Sequence, residues 1–196
     1  AYFFGRELNQ ELDIPIGLIR SAWGGSRIEA WIPTEGYEGL PRLTGLKEEI
    51  ERKTPGSKAY EQTVKDAIKQ VSQWQKNATE SLKDGKSVED LAAVSFNLPQ
   101  RQSGIQGLYN AMIHPLVPFT IKGVIWYQGE SNRNDGMMYY EKKKALIGGW
   151  RSIWQQGDFP FYYVHLAPYK YNEQESLQLV WEAQSYCLNI PNTGMA

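Results

Sequence analysis

Along this chain the spacing of apolar positions changes period several times, and each change predicts an element. Over residues 1–12, Phe4, Leu8 and Leu12 recur at i, i+4, which is one face of a helix. The short apolar run at 15–20 (PIGLIR) reads as a strand. It delivers the small-residue turn SAWGGSR at 21–27, whose glycines admit close approach to the backbone. From 57 to 82, Tyr60, Val64, Ile68, Val71, Trp74, Ala78 and Leu82 step by three or four, predicting one long amphipathic helix that packs against the domain and stops at Asp84-Gly85. A further helix is expected over 139–154, with Leu146, Ile147, Trp150 and Ile153 on its face. A strand at 161–166 and a helix at 176–188 follow it, and the turn at 191–194 leads into another strand at Met195 and Ala196.

The sharpest break lies in GVIWYQGESN at 123–132. There an apolar, β-branched and aromatic run stops at Gln128, Gly129, Glu130, Ser131 and Asn132. A buried strand that ends in amide and carboxylate groups puts them at the carboxyl edge of a sheet, where open α/β folds hold their ligands. Strands alternating with helices imply right-handed crossovers and a parallel sheet flanked by helices. Residues 34–98, richer in Lys and Glu than their flanks, read as a helical insertion within one domain spanning 1–196. The first helix begins without a cap or an initiator Met, and the last turn breaks off at a strand, so both ends are expected to be cut from a longer protein.

Composition narrows the function. With 196 residues and 41% hydrophobic content the chain is long enough for one sizeable core. A net charge of −1 and a pI near 6.2 provide no basic field for nucleic acid. A single cysteine, Cys187, excludes an internal disulfide framework and a thiolate metal cluster, and no apolar run is long enough to enter and cross a bilayer.

Four blocks carry a resemblance: SAWGGSRIEAW at 21–31, LYNAMIHPL at 108–116, GVIWYQGESN at 123–132, and EAQ at 182–184 ahead of IPNTGMA. Together, in this order, they resemble the sialate O-acetylesterase family, a branch of the SGNH hydrolases. The resemblance covers most of the chain outside 34–98. It implies an SGNH-hydrolase-like, flavodoxin-like sheet and hydrolysis of acetyl esters of sugars, of the sialate or acetylated xylan type. It further implies a serine nucleophile, a histidine base, an orienting aspartate and a set of oxyanion donors. Neither a metal nor an organic cofactor is implied, and the family's setting is secreted or periplasmic. The nucleophile's turn and the Asp-His motif of similar proteins match nothing here, so they are expected upstream of Ala1 and downstream of Ala196, and the fragment alone is expected to be inactive. The alternative is a non-catalytic carbohydrate-binding module of the same fold; a structural domain whose polar edge mediates assembly is a third reading.

Within that resemblance, Gly25 is the expected backbone oxyanion donor, with Gly24 as alternative, because a glycine leaves no Cβ between its N–H and the substrate. Gln128 is the expected side-chain donor, since an amide donates without titrating; Asn132 is the alternative. Arg27 either grips a sugar carboxylate or acetyl group or pairs with Glu29 or Glu130 to hold the loops. Glu130 either locks its loop or contacts substrate, and Asn110 and Met112 shape the pocket floor. Among the aromatics Trp23, Trp31, Trp126, Tyr127, Tyr169 and Tyr171, Trp126 is expected in the core, whereas Trp31 and Tyr169 sit at loop ends and line the cleft. His114 and His165 read as structural, and Ser26, Ser103 and Ser131 lack the strand-to-helix setting of a nucleophile.

Overall fold

The structure, a computed structural model, describes residues 1–88, 104–169 and 175–196. Its helices are α1 (Tyr2–Leu12), α2 (Thr44–Lys53), α3 (Lys58–Lys83), α4 (Met138–Trp154) and α5 (Glu175–Tyr186). Its strands are β1 (Val124–Trp126), β2 (Phe161–Tyr163) and β3 (Thr193–Met195). The strands form a parallel sheet in the order β1-β2-β3, with Trp126 in register with Tyr163 and Tyr163 with Met195. The chain order β1-α4-β2-α5-β3 is two successive strand-helix-strand units, the arrangement that alternating periods predict.

Side-chain alternation decides which face is the core. Phe161 and Tyr163 are buried, and Val124 and Trp126 pack with them, while Ile125 and Tyr162 point to the opposite, exposed face. The inner face is covered by α4 and α5. Leu146, Ile147 and Trp150 of α4 and Leu177, Val180 and Ala183 of α5 are all buried, as helical spacing requires. Trp126 is the hub of this layer, meeting the rings of Trp31, Trp150 and Phe161 at centroid distances of 5.9, 5.9 and 6.2 Å.

On its other side α4 carries the segment that brings in the Gly24-Gly25 turn. Short 3-10 turns at Ile28–Trp31 and Thr34–Tyr37 lie against it. The approach is close enough that a Cβ on Gly36 would fall 2.2 Å from the Ala145 carbonyl oxygen, and one on Gly149 would fall 2.8 Å from Gly36 Cα. Glycine at both positions is what lets two backbones meet there.

Several sequence expectations need correction. Residues 15–20 form no strand; the run is irregular, with Leu18 and Ile19 exposed and Leu18 against Gly5 of α1. A strand is a pairing relation, and the described strands pair only with one another. The strand predicted to 166 stops as a regular ladder at Tyr163. The Val164 and His165 amides still reach Trp126 O and Ala196 O, but the Leu166 amide is taken by Gln184 Oε1. Helix α3 starts where predicted, with Ser57 Oγ capping the Tyr60 amide at 3.0 Å, yet none of its residues is buried and it packs on α2 rather than on the sheet. At ~1.5 Å rise per residue a helix of this length overshoots the two-helix contact that covers it. Residues 89–98 of the expected insertion lie outside the described residues, as do Ser103 and Tyr171.

Candidate active site

Where β1 ends, the chain runs through Tyr127 and Gln128 into a 3-10 turn at Glu130–Asp135. Gln128 is held on every side. Its Nε2 donates to Ser26 O at 3.0 Å and to Asn132 Oδ1 at 2.8 Å, while the Tyr139 hydroxyl reaches its carbonyl oxygen at 2.8 Å and its Oε1 at 3.2 Å. Both amide hydrogens are therefore engaged, so a substrate oxygen receives one only in exchange for an internal bond.

The Gly24-Gly25 turn is stitched to this element by its carbonyl side. Ser131 Oγ donates to Gly25 O at 2.9 Å, and Ser26 Oγ donates to Trp23 O at 2.8 Å while accepting from Trp31 Nε1 at 3.0 Å. Gly25 takes φ +71°, a conformation that favours glycine, and nothing lies within 4 Å of where a Cβ would stand on Gly24 or Gly25. While the Trp23 and Gly25 carbonyls are bonded in this way, the Gly24 and Gly25 amides have no hydrogen-bond acceptor among the described residues, and both glycines are exposed.

Beneath the two turns lies a charge-balanced network. Fully buried Asn132 accepts at Oδ1 from the Ile28 amide at 2.8 Å and donates through Nδ2 to Glu29 Oε2 at 3.0 Å and Asp135 Oδ2 at 2.7 Å. Lys142 Nζ bonds both Glu29 and Asp135, the latter at 2.6 Å. Arg27 Nη2 reaches Glu29 Oε1 at 3.0 Å and Asp135 Oδ1 at 2.9 Å, and its Nη1 donates to Ser131 O at 2.7 Å. Burial raises the pKa of both carboxyls. Hydrogen bonds from Lys142 and Asn132, joined by Arg27 at Asp135, outweigh it and hold both below the ordinary carboxylate range. Two cations, buried Lys142 and half-exposed Arg27, thus face two carboxylates, and the set is neutral as a whole.

The remaining sequence candidates fall into three settings. Trp31 is only 3% exposed and reaches the turn through its indole N–H on Ser26 rather than by a free ring face, because Trp126 packs edge-on against it. Asn110 is exposed on a π-turn at Tyr109–Ile113, followed by exposed His114, whose ring meets Tyr109 at 5.9 Å. Glu130 is exposed and accepts from the Gly129 amide at 3.2 Å. His165 stacks near Trp181 at 5.6 Å, and Trp23, Tyr127 and Tyr169 expose their rings. Asp135, Tyr139 and Lys142 escaped the sequence reading. The available sign was in α4, where Tyr139, Lys142, Lys143 and Leu146 follow helical spacing, so that two lysines occupy an otherwise apolar stripe. Among the described residues there is no group of three His, Cys, Asp or Glu side chains that could hold a metal ion, and no helix is long and apolar enough to cross a membrane.

Comparison with known proteins points the same way. The family model described as carbohydrate esterase, sialic acid-specific acetylesterase, matches residues 96–196. The sialate O-acetylesterase of Rattus norvegicus is 30% identical over the whole of this chain, which covers 34% of that protein; for the Homo sapiens protein the values are 31% and 31%. The chain thus spans about a third of the length of these curated relatives. A solved carbohydrate acetylesterase from Xanthomonas citri aligns with a TM-score of 0.61 at 30% identity, over all of this chain and 33% of its own, in keeping with an SGNH-like α/β fold. By its matched blocks, its parallel sheet and these relatives, the chain belongs to the sialic acid-specific acetylesterase family of carbohydrate esterases.

Proposed function

We propose that this chain forms the oxyanion side of a carbohydrate O-acetylesterase that works through a serine acyl-enzyme. The observation that carries the reading is the pair of Gly24 and Gly25 amides without an acceptor among the described residues, next to the Ser26 carbonyl that receives the Gln128 amide, at the carboxyl end of a parallel strand. Serine attack on an acetyl carbonyl makes a tetrahedral oxyanion, which N–H donors held in place stabilise; the Gly25 amide is offered outright, whereas Gln128 Nε2 exchanges one of its internal bonds, to Ser26 O or Asn132 Oδ1, for it. Gly25 N–H and Gln128 Nε2 take that role, with Gly24 and Asn132 as alternatives; Asn132 has the weaker claim because it is fully buried. The sugar hydroxyl then leaves, and water hydrolyses the acetyl-enzyme. The nucleophile, the histidine and the aspartate come from sequence outside these residues, so the fragment alone does not turn over.

Around the donors, the half-exposed guanidinium of Arg27 and the exposed Asn110 and Glu130 form the polar rim for the sugar, and Trp31 supports the turn through Ser26. The exposed rings of Trp23, Tyr127 and Tyr169 offer faces for pyranose stacking. An O-acetylated carbohydrate, sialate or acetylated xylan, is the substrate class, and a secreted or periplasmic site of action follows from it. The test is acetyl-ester hydrolysis by the full-length gene product and by this chain, using a chromogenic acetate and an O-acetylated sugar. Activity is expected in the former only, and Gln128→Ala is expected to lower its kcat by roughly 10²–10³-fold. An inactive full-length protein that still binds sugar would replace the esterase with a binding module.

A further inference from the structure

We infer that Lys142 is a positioning residue for the oxyanion side of the site. By holding Glu29 and Asp135 it fixes the place of Asn132, whose amide the Ile28 N–H orients, and through Asn132 the place of the Gln128 amide; the catalytic consequence rests on the esterase reading above. The chain of contacts has one direction. The Ile28 amide can only donate, so the atom of Asn132 facing it is Oδ1. Nδ2 then faces the two carboxylates, and Oδ1 is left to receive Gln128 Nε2. Ser26 O, an acceptor only, holds the other hydrogen of that amide. Lys142 is 9% exposed at its side chain and has no access to a substrate, so its effect on the reaction passes through these neighbours.

What Lys142 supplies is the second cation. Without it, the largely buried Glu29 and Asp135 keep only the half-exposed Arg27 as counter-ion, and like charges there drive one carboxyl to take up a proton. The oxygen that Lys142 and Asn132 share is Asp135 Oδ2, and a proton there meets Asn132 Nδ2 as a second donor. Asn132 Nδ2 draws away from it, and Oδ1, still facing the Ile28 amide, shifts against Gln128 Nε2. Helix α4 also grips the same turn one helical step away, through the Tyr139 hydroxyl on Gln128 O. Lys144, two residues along the helix, pairs instead with Glu141 at 2.7 Å, outside the network, and serves as control.

The test uses the full-length gene product labelled with 15N at Asn and Gln side chains. In Lys142→Met the Gln128 side-chain amide pair is expected to shift or split, while kcat on the chromogenic acetate falls on the order of 10–100-fold with KM nearly unchanged. Lys144→Met is expected to move neither. Adding Glu29→Gln to Lys142→Met removes one anion with the cation, and recovery of most of the lost kcat supports the charge-balance argument. If Lys142→Met does not fold, Lys142→Gln, which keeps one donor and loses the charge, is read in the same way. A fall in kcat with the Gln128 amide unmoved overturns the inference, as does a displaced amide with kcat intact. Inactivity of the unmodified protein instead overturns the esterase reading and its catalytic consequence, and the amide displacement alone then decides whether Lys142 positions Gln128.

Discussion

At Glu29 and Asp135 the network determines how the protein responds to acid. Both carboxyls titrate below their ordinary values, so the unfolded chain binds more protons than the folded one as pH falls. Their contribution to stability is complete above about pH 4, the ordinary carboxylate range, and is lost as pH falls through the lower folded values. Urea midpoints measured from pH 7 to 2.5 should drop below pH 4, and Glu29→Gln should flatten part of that drop; an unchanged slope would show that the pairing contributes nothing. Lys143 behaves oppositely. It is completely buried, its Nζ has no hydrogen-bond acceptor among the described residues, and it lies 4.4 Å from the Tyr163 ring centroid. Burial pushes its pKa down to about 7. Between that value and the ordinary lysine range the unfolded state holds the extra proton, so stability rises with pH there. Lys143→Met, which keeps the stem and drops the ammonium, is expected to stabilise the protein at pH 6 by on the order of 1 kcal/mol and to remove the rise between pH 7 and 10. A loss of stability at pH 6 would mean that the ring contacts outweigh desolvation.

For helix α4, the adjacent glycines at 148 and 149 make opposite predictions. Around Gly148 nothing lies within 4 Å of an added Cβ, so Gly148→Ala should gain helix propensity, about 1 kcal/mol. At Gly149 the added atom would stand 2.7 Å from Pro33 Cγ and 2.8 Å from Gly36 Cα. Gly149→Ala therefore forces the 33–36 segment off the helix at a cost of roughly 1–3 kcal/mol, and it moves the Gly24-Gly25 turn with it. Thermal unfolding of the two variants checks the sign of each. Equal effects would mean that the close crossing is not a feature of the folded state.

For the molecule as a whole, the two faces of the sheet are treated unequally. Helices α4 and α5 bury one, while on the other Ile125, Tyr162 and Val164 remain exposed beside Phe4, whose ring meets Tyr162 at 6.5 Å, and the exposed Leu18. An apolar surface of this kind drives association when nothing covers it. This chain expressed by itself is expected to bind a hydrophobic dye and to self-associate at micromolar concentration, and Tyr162→Lys should reduce both. A monodisperse monomer without dye binding in sedimentation velocity would refute that expectation.

The sequence by itself determined the order of strands and helices from β1 to β3 and the place where the sheet edge turns polar. Both are local patterns: the period of two or 3.6 is written in consecutive residues, as is the break from Trp126 to Asn132. The small-residue turn at 21–27 was legible for the same reason, and Glu29, two positions from Arg27, was one of the partners the sequence offered it beside Glu130 and a sugar; Asp135 and Ser131 O were not. Tertiary structure decided what each residue meets. Residues 15–20 have the composition of a strand and no paired strand among the described residues; Trp31 and Trp23 look alike in the sequence, but one is core and the other exposed; Gly148 and Gly149 differ only in what lies opposite. Asp135 and Lys142 join the site through contacts such as Lys142 to Glu29, 113 residues apart. Periodicity specifies which face of an element turns inward, whereas the identity of the neighbour across that face depends on how distant elements pack, and that packing fixes the Gln128 amide.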